Sequence, residues 1–183
     1  MNRHKKWITK VSRVLLLHER LTVLEDVVVL PNGREINYLK FKKTHDSVTI
    51  IAQREDGKIL ILSEYSYPPD KWLYEFPGGS VNSGETVEHA AQRELSEESS
   101  FVSGGMQLLG KYFLDNRRSD ARMHVFFAAN LTKKHLKKDD EELFEYHWFT
   151  IDEIDKLILE GQIVNAHILA PWTLLRVNMK SQS

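Results

Sequence analysis

Val87, Ala90, Ala91 and Leu95 recur at helical spacing, and the row Val87, Ala90, Ala91 continues at the same azimuth into Glu94 and Glu98. The spacing predicts a helix over residues 86–99, with Ser83 or Thr86 as its N-cap, whose core-facing stripe turns acidic partway along. Glu94 and Glu98 form an i,i+4 pair of like charge, Glu97 lies beside both, and all three sit toward a helix C-terminus whose dipole disfavours anions. Each of these effects costs a few tenths of a kcal/mol at exposed positions and more when partly buried. Something cationic must offset them. Arg93 reaches Glu97 at i+4 and can also meet Glu85, which leaves Glu94 and Glu98 over. Carboxylates without Cys or an obligatory His suit a hard divalent ion, Mg²⁺ or Mn²⁺, which takes a couple of them and completes its shell with water and substrate phosphate. The pattern reads as metal plus phosphate. By composition alone an acidic helix face is more often a solvated one, and it is the spacing that turns the reading toward a metal.

The elements around this helix are mostly strands. Residues 21–30 are rich in β-branched side chains, and Pro31-Asn32-Gly33 supplies the turn that returns residues 36–41 as an antiparallel partner. Residues 47–53 and 58–64, joined by Glu55-Asp56-Gly57, read as a second hairpin. Trp72 to Phe76 leads into Pro77-Gly78-Gly79, where absent side chains let backbone approach a ligand closely. Further strands are expected at 107–114, 123–129 and 144–149. Helices are expected from Ile151, with Gly161 as a stop, and over about 165–177 with Pro171 early in it. This order implies α+β, a mixed sheet with helices packed on it.

Composition sets outer limits. A chain of 183 residues, 42% hydrophobic, can close a real core as one domain with a small subdomain. With 25 Lys+Arg against 26 Asp+Glu, no basic field favours nucleic acid as a partner, while a small anionic substrate stays open. Zero cysteines exclude a disulfide framework, a thiolate nucleophile and Cys-ligated zinc, and make the cytoplasm the default compartment. The apolar run at 14–17 is too short for a secretory segment, and no stretch approaches the roughly 18 apolar residues of a membrane span.

Read from Gly79, the sequence GSVNSGETVEHAAQRELSEESSF places Gly79, Glu85, Arg93, Glu94, Leu95, Glu97 and Glu98 in the order Gly, five residues, Glu, seven residues, Arg-Glu-apolar-x-Glu-Glu. This closely resembles the Nudix box of the Nudix hydrolases, with Ser100 where the family pattern usually has Gly. PNGREINY and VTIIAQREDGKILILSEYSYPPDKWLYEFPGG resemble the ADP-ribose pyrophosphatase, or nucleoside diphosphate sugar hydrolase, branch, so that the likeness covers roughly residues 20–160. It implies a Nudix-type α/β/α sandwich over residues 46–183 and an N-terminal antiparallel β subdomain over residues 1–45 that serves a homodimer. It further implies Glu94 and Glu98 as principal metal ligands, Glu97 as an auxiliary one, the carbonyl of Gly78 or Gly79 nearby, and Arg93 and Glu85 orienting them. The reaction implied is attack of water, readied by Mg²⁺ or Mn²⁺, on one phosphorus of a diphosphate linkage. The proton acceptor implied comes from the acidic run 139–142, with Glu142 chosen.

Two departures bear on the substrate. Where relatives often read Arg-Gln-Tyr-Arg-Tyr-Pro, this chain has Ser63-Glu64-Tyr65-Ser66-Tyr67-Pro68, so an expected arginine is replaced by Ser66. The loop after the box lacks an expected proline and carries Arg117, Arg118 and Arg122, whose guanidinium groups can replace the lost charge on phosphate or simply dress a solvated turn. Tyr65, Tyr67, Trp72 and Phe41 are candidates to stack on a base or cover a sugar, though aromatics are more often core. The expected activity is hydrolysis of a nucleoside diphosphate sugar to a nucleoside monophosphate and a sugar 1-phosphate. The alternatives are a non-catalytic nucleotide-sensing module and an NTP-sanitising pyrophosphatase, the latter disfavoured by the long amino-terminal β segment.

Overall fold

The computed structural model describes residues 5–42, 45–134 and 145–182. It divides into two compact units: Met1–Thr44 with Phe113–Ala121, and His45–Tyr112 with Arg122–Ser183.

The first unit is an antiparallel sheet in the order β1 (Ile8–Leu17), β2 (Thr22–Val29), β3 (Glu35–Phe41). The expected hairpin is β2–β3, closed by Leu30 N–H on the Arg34 carbonyl at 2.8 Å, with Gly33 at φ 83°. That left-handed φ is why glycine suits the turn. β1 is an additional strand, set against β2 with two register shifts. Asp26 of β2 is buried, 3% exposed, and its Oδ2 lies 2.5 Å from the Lys40 ammonium of β3.

The second unit holds two sheets. β4 (Ser47–Ala52) lies at the centre of one, parallel to β9 (Arg122–Lys133) and antiparallel to β7 (Gly78–Ser80), in the order β7-β4-β9-β8 with β8 at Phe101–Phe113. In the other sheet β5 (Ile59–Ser66) pairs antiparallel with β10 (Glu145–Phe149) and β6 (Lys71–Glu75). Alternation divides the core in two. Val48, Ile50 and Ala52 of β4 and Leu60 and Leu62 of β5 pack with Ala90, Ala91 and Leu95 of α1 (Val87–Ser99). Ile51, Ile59 and Ile61 face the opposite way, onto Ile154 of α2 (Ile151–Leu159) and Ile168, Trp172 and Leu175 of α3 (Ala166–Gln182). Strands buried on both faces read as continuous apolar runs, here VTIIA and ILIL. The architecture is the expected α+β sandwich with helices on both faces.

The expected hairpin between residues 47–53 and 58–64 is corrected. Its turn forms, with Arg54 N–H on the Lys58 carbonyl at 2.9 Å and Gly57 at φ 82°, but pairing stops after one bridge, Gln53 to Ile59. β4 and β5 then part into different sheets, because each finds longer partners elsewhere. Among the described residues no helix is long and apolar enough to cross a membrane.

Candidate active site

The site forms where α1 crosses β7. Thr86 caps α1, its hydroxyl accepting the His89 amide at 3.2 Å. The helix ends in Ser100, whose φ of 60° and ψ of 25° are left-handed, with its amide on the Ser96 carbonyl. Serine therefore adopts here the conformation that glycine takes at low cost.

Two glycines let helix and strand meet. A Cβ at Gly78 would collide with the Val48 carbonyl oxygen and fall 2.9 Å from Thr49 Cα, so β7 can lie against β4 only if this residue is bare. A Cβ at Gly79 would collide with Glu94 Oε1 and fall 2.6 Å from Glu94 Cδ, so its absence makes room for that carboxylate. Glu94 is 9% exposed. Glu98 reaches the same strand, its Oε2 accepting the Gly78 amide at 2.9 Å. Glu94 and Glu98 thus both seat on β7.

Arg93 fastens the assembly. Its Nε and Nη2 donate to the two oxygens of Glu85 at 3.0 Å each, a bidentate pair, and Nη2 also donates to the Ser80 carbonyl at 2.9 Å. Its Nη1 donates to Glu94 Oε1 at 2.8 Å and to Glu97 Oε2 at 3.0 Å. Glu94 is therefore not left over, as the helical spacing suggested, because one nitrogen bridges it to Glu97. The Glu85 bond, together with Glu94 and Glu97, raises the guanidinium's proton affinity above its ordinary value despite partial burial. In return, the Arg93 guanidinium and then the Asn82 amide hold the Glu85 carboxyl below the usual carboxylate range.

One contact had no sequence signal. The Tyr146 hydroxyl, at the start of β10, donates to the Glu98 carbonyl at 2.7 Å across 48 positions of sequence. Glu98 is thus held at its carboxylate by Gly78 and at its carbonyl by Tyr146. Only tertiary folding brings Tyr146 there, and no local pattern marks it.

The other expected residues lie elsewhere. Tyr65 and Tyr67 stand at the β5–β6 tip, 44% and 83% exposed, with the Tyr65 hydroxyl on Asp70 Oδ1 at 2.5 Å and its ring edge-on to Trp72. That bond pushes the Tyr65 hydroxyl above its ordinary pKa. Arg117 and Arg118 belong to the turn of the first unit, with Phe41. Arg122 opens β9 in the second unit, its amide on Asp46 Oδ1 at 3.1 Å. Glu142 lies outside the described residues.

The donor set suits a hard cation. The two helix side chains that seat on β7, Glu94 and Glu98, are both carboxylates. No three His, Asp or Glu side chains among the described residues form a cage by themselves. An ion of the Mg²⁺ class binds through one or two carboxylates, with water and substrate phosphate filling the rest, so Glu94 and Glu98 fit it.

Comparison with known proteins identifies the family. The NUDIX domain model matches residues 43–170. The ADP-ribose pyrophosphatase of Bacillus subtilis (strain 168) is 28% identical over 145 residues, covering 78% of this chain and 77% of that protein. The ADP compounds hydrolase NudE of Escherichia coli (strain K12) is 27% identical over 165 residues, covering 89% and 88%. A crystal structure of an ADP compounds hydrolase superposes with a TM-score of 0.89 at 22% identity, covering 98% of this chain and 97% of that one, a likeness of fold. Nudix hydrolases generally use divalent metal ions. The chain belongs to the NUDIX domain family, on the branch of its ADP-ribose pyrophosphatase relatives.

Proposed function

We propose that this Nudix pyrophosphohydrolase cleaves the diphosphate linkage of a nucleoside diphosphate sugar, of the ADP-ribose or NDP-hexose type, with Mg²⁺ or Mn²⁺. The observation that carries the reading is the seating of Glu94 and Glu98 together on β7, one beneath Gly79 and the other on the Gly78 amide. The names of the relatives, an ADP-ribose pyrophosphatase and an ADP compounds hydrolase, support the substrate class.

Glu94 and Glu98 hold the metal, with Glu97 as auxiliary carboxylate. When bound, the ion neutralises charge on the diphosphate and makes water a stronger acid. Arg93 keeps Glu94 and Glu97 side by side through one shared nitrogen and ties both to Glu85 and β7. The Gly78 amide and Tyr146 hydroxyl fix Glu98 from two sides, so the carboxylate does not reorganise during the reaction. Water adds to one phosphorus, the bridging P–O bond breaks, and the bridging oxygen leaves with the other phosphate. The products are a nucleoside monophosphate and a sugar phosphate. The water's proton goes to a carboxylate of the run 139–142, for which Glu142 is our assignment. A non-catalytic sensor would have no use for so fully braced a set of carboxylates.

The protein acts as a homodimer through its N-terminal unit. β1 is the edge of that sheet, and Ile8, Val11, Val14, Leu16 and Leu17 on it are each about half exposed or more. A long apolar edge strand is a ready template for a second chain. Light scattering of the purified chain tests this, and a monomer at micromolar concentration refutes it.

Turnover of a panel of nucleoside diphosphate sugars, ADP-ribose, dinucleotides and NTPs with Mg²⁺ or Mn²⁺ tests the activity. Glu98→Gln should lose about 10²-fold or more in kcat while melting normally. Turnover confined to NTPs, or unchanged by this substitution or by chelation, rejects the reading.

A further inference from the structure

A cavity of about 450 Å³ lies wholly within the N-terminal unit, between β3 and the turn at 116–120. Lys40, Lys42, Arg117 and Arg118 line it, against one lining carboxylate, Asp120. The turn is fastened to β3 through its carbonyls: the Tyr38 hydroxyl donates to that of Arg117 at 2.6 Å, and the Phe41 amide to that of Arg118 at 2.7 Å. The amides of Arg117, Arg118 and Ser119 are also engaged. The Arg117 amide donates to Asp115 Oδ1 at 3.1 Å, and those of Arg118 and Ser119 donate to the Asp115 carbonyl at 3.0 and 2.8 Å. What the turn offers a ligand is therefore guanidinium rather than backbone. Arg118 is steadied by one bond, Nη1 to the Leu39 carbonyl at 3.2 Å, out of the five N–H groups it carries.

Charge identifies the ligand. Four cations line the cavity against the single lining carboxylate Asp120, and with Asp26 beneath Lys40 and Asp115 at the base of the turn counted as well the site still keeps a positive surplus of one. Planar guanidinium forks match phosphate oxygens two at a time. Leu24, with the rings of Tyr38 and Phe41, the latter 39% exposed, adds an apolar wall that a bare inorganic ion would not use. We propose that the N-terminal unit carries a phosphoanion site, built from Lys42, Arg117 and Arg118 with Phe41 beside them, for an organic phosphate of nucleotide type. That phosphate belongs either to the compound being hydrolysed or to a separate effector. The recognition chemistry is the same for both.

Titration calorimetry of the full chain with inorganic pyrophosphate tests the site, run in EDTA so that no divalent ion can bridge phosphate to Glu94 and Glu98. Saturable binding is expected, weakened about tenfold or more in Arg117→Ala/Arg118→Ala, partly kept in Arg117→Lys/Arg118→Lys, and reduced by salt. No heat at low ionic strength, or equal affinity in wild type and the alanine variant, overturns the proposal. This arm needs neither metal nor turnover, so it stands or falls apart from the hydrolase reading. Should the alanine variant fail to melt cooperatively, Lys42→Gln decides in its place. Inorganic phosphate added to ADP-ribose turnover then identifies the source. A rise in KM alone assigns the site to the substrate and a change in kcat assigns it to an effector, and persistence of either in Arg117→Ala/Arg118→Ala overturns the site.

Discussion

Gly79→Ala isolates the geometry on which the catalytic reading rests. The added methyl carbon would lie 2.6 Å from Glu94 Cδ and 2.8 Å from Oε2. Ordinary carbon contacts are about 3.5–4.0 Å, so the carboxylate must withdraw by about 1 Å. It has little room to do so, being 9% exposed and bonded to Arg93 Nη1 at 2.8 Å. A displacement of this size in a positioned catalytic group costs about 10²-fold in rate, or about 2.7 kcal/mol of transition-state stabilisation. Gly79 is not among the positive-φ positions, so alanine brings no backbone strain and only the side-chain overlap, about 1 kcal/mol, should register in stability. Gly78→Ala makes the contrast: its methyl would meet the β4 backbone, which cannot step aside, and should cost about 1–3 kcal/mol of stability. Steady-state kinetics with Mn²⁺ and urea denaturation of both variants provide the test. A Gly79→Ala enzyme with wild-type kcat/KM, or a Gly78→Ala protein with wild-type stability, refutes the argument that bare backbone at β7 seats the glutamates.

Ser100→Gly should stabilise the protein by about 1 kcal/mol, because it relieves a left-handed serine, and raise Tm by about 2–4 °C; an unchanged or lowered Tm contradicts this. Tyr146→Phe removes the hydroxyl that holds the Glu98 carbonyl, and kcat should fall about tenfold with KM little changed, whereas a pure KM effect would assign the tyrosine to substrate binding. Burial pushes the Asp26 carboxyl up, but the Lys40 ammonium and the Ser12 hydroxyl outweigh it and hold its pKa below the ordinary value. Its folded pKa being depressed, Asp26 contributes stability that is full above the unfolded carboxylate pKa of about 4 and is lost as pH falls through the lower folded value. The stability gap between wild type and Asp26→Asn should therefore close on acidification. A gap constant from neutral pH down to about pH 3 shows that this pair does not govern it.

The candidate site was more legible in the sequence than the scaffold around it. Val87 to Glu98 was legible because helical period and fixed identities coincide over a short span, and the β2–β3 hairpin because Pro31-Asn32-Gly33 has the chemistry its turn demands. β1 was not legible. Its side chains are exposed on both faces, so ITKVSRVLLL shows no alternation to read. The parting of β4 from β5 was hidden for a related reason: strands buried on both faces look alike whichever neighbour they pair with. Spacing gave Arg93 its i+4 partner, Glu97, but could not show that the same nitrogen reaches back to the adjacent Glu94, since that depends on a rotamer fixed by Ser80 and Glu85.

Apart from the Tyr146 bond to the Glu98 carbonyl, the bonds that brace the carboxylates close over short loops. Gly78 to Glu98 spans 20 positions, Ser80 to Arg93 spans 13, and Glu85 to Arg93 spans 8. Contacts so near in sequence demand little loop closure and form early when a chain folds. Residues 78–99, a strand stub and one helix, thus carry most of the wiring of the carboxylates within themselves and draw on the scaffold at two places, β4 beneath Gly78 and Tyr146 on the Glu98 carbonyl. The loops around them are therefore free to diverge to meet other ligands.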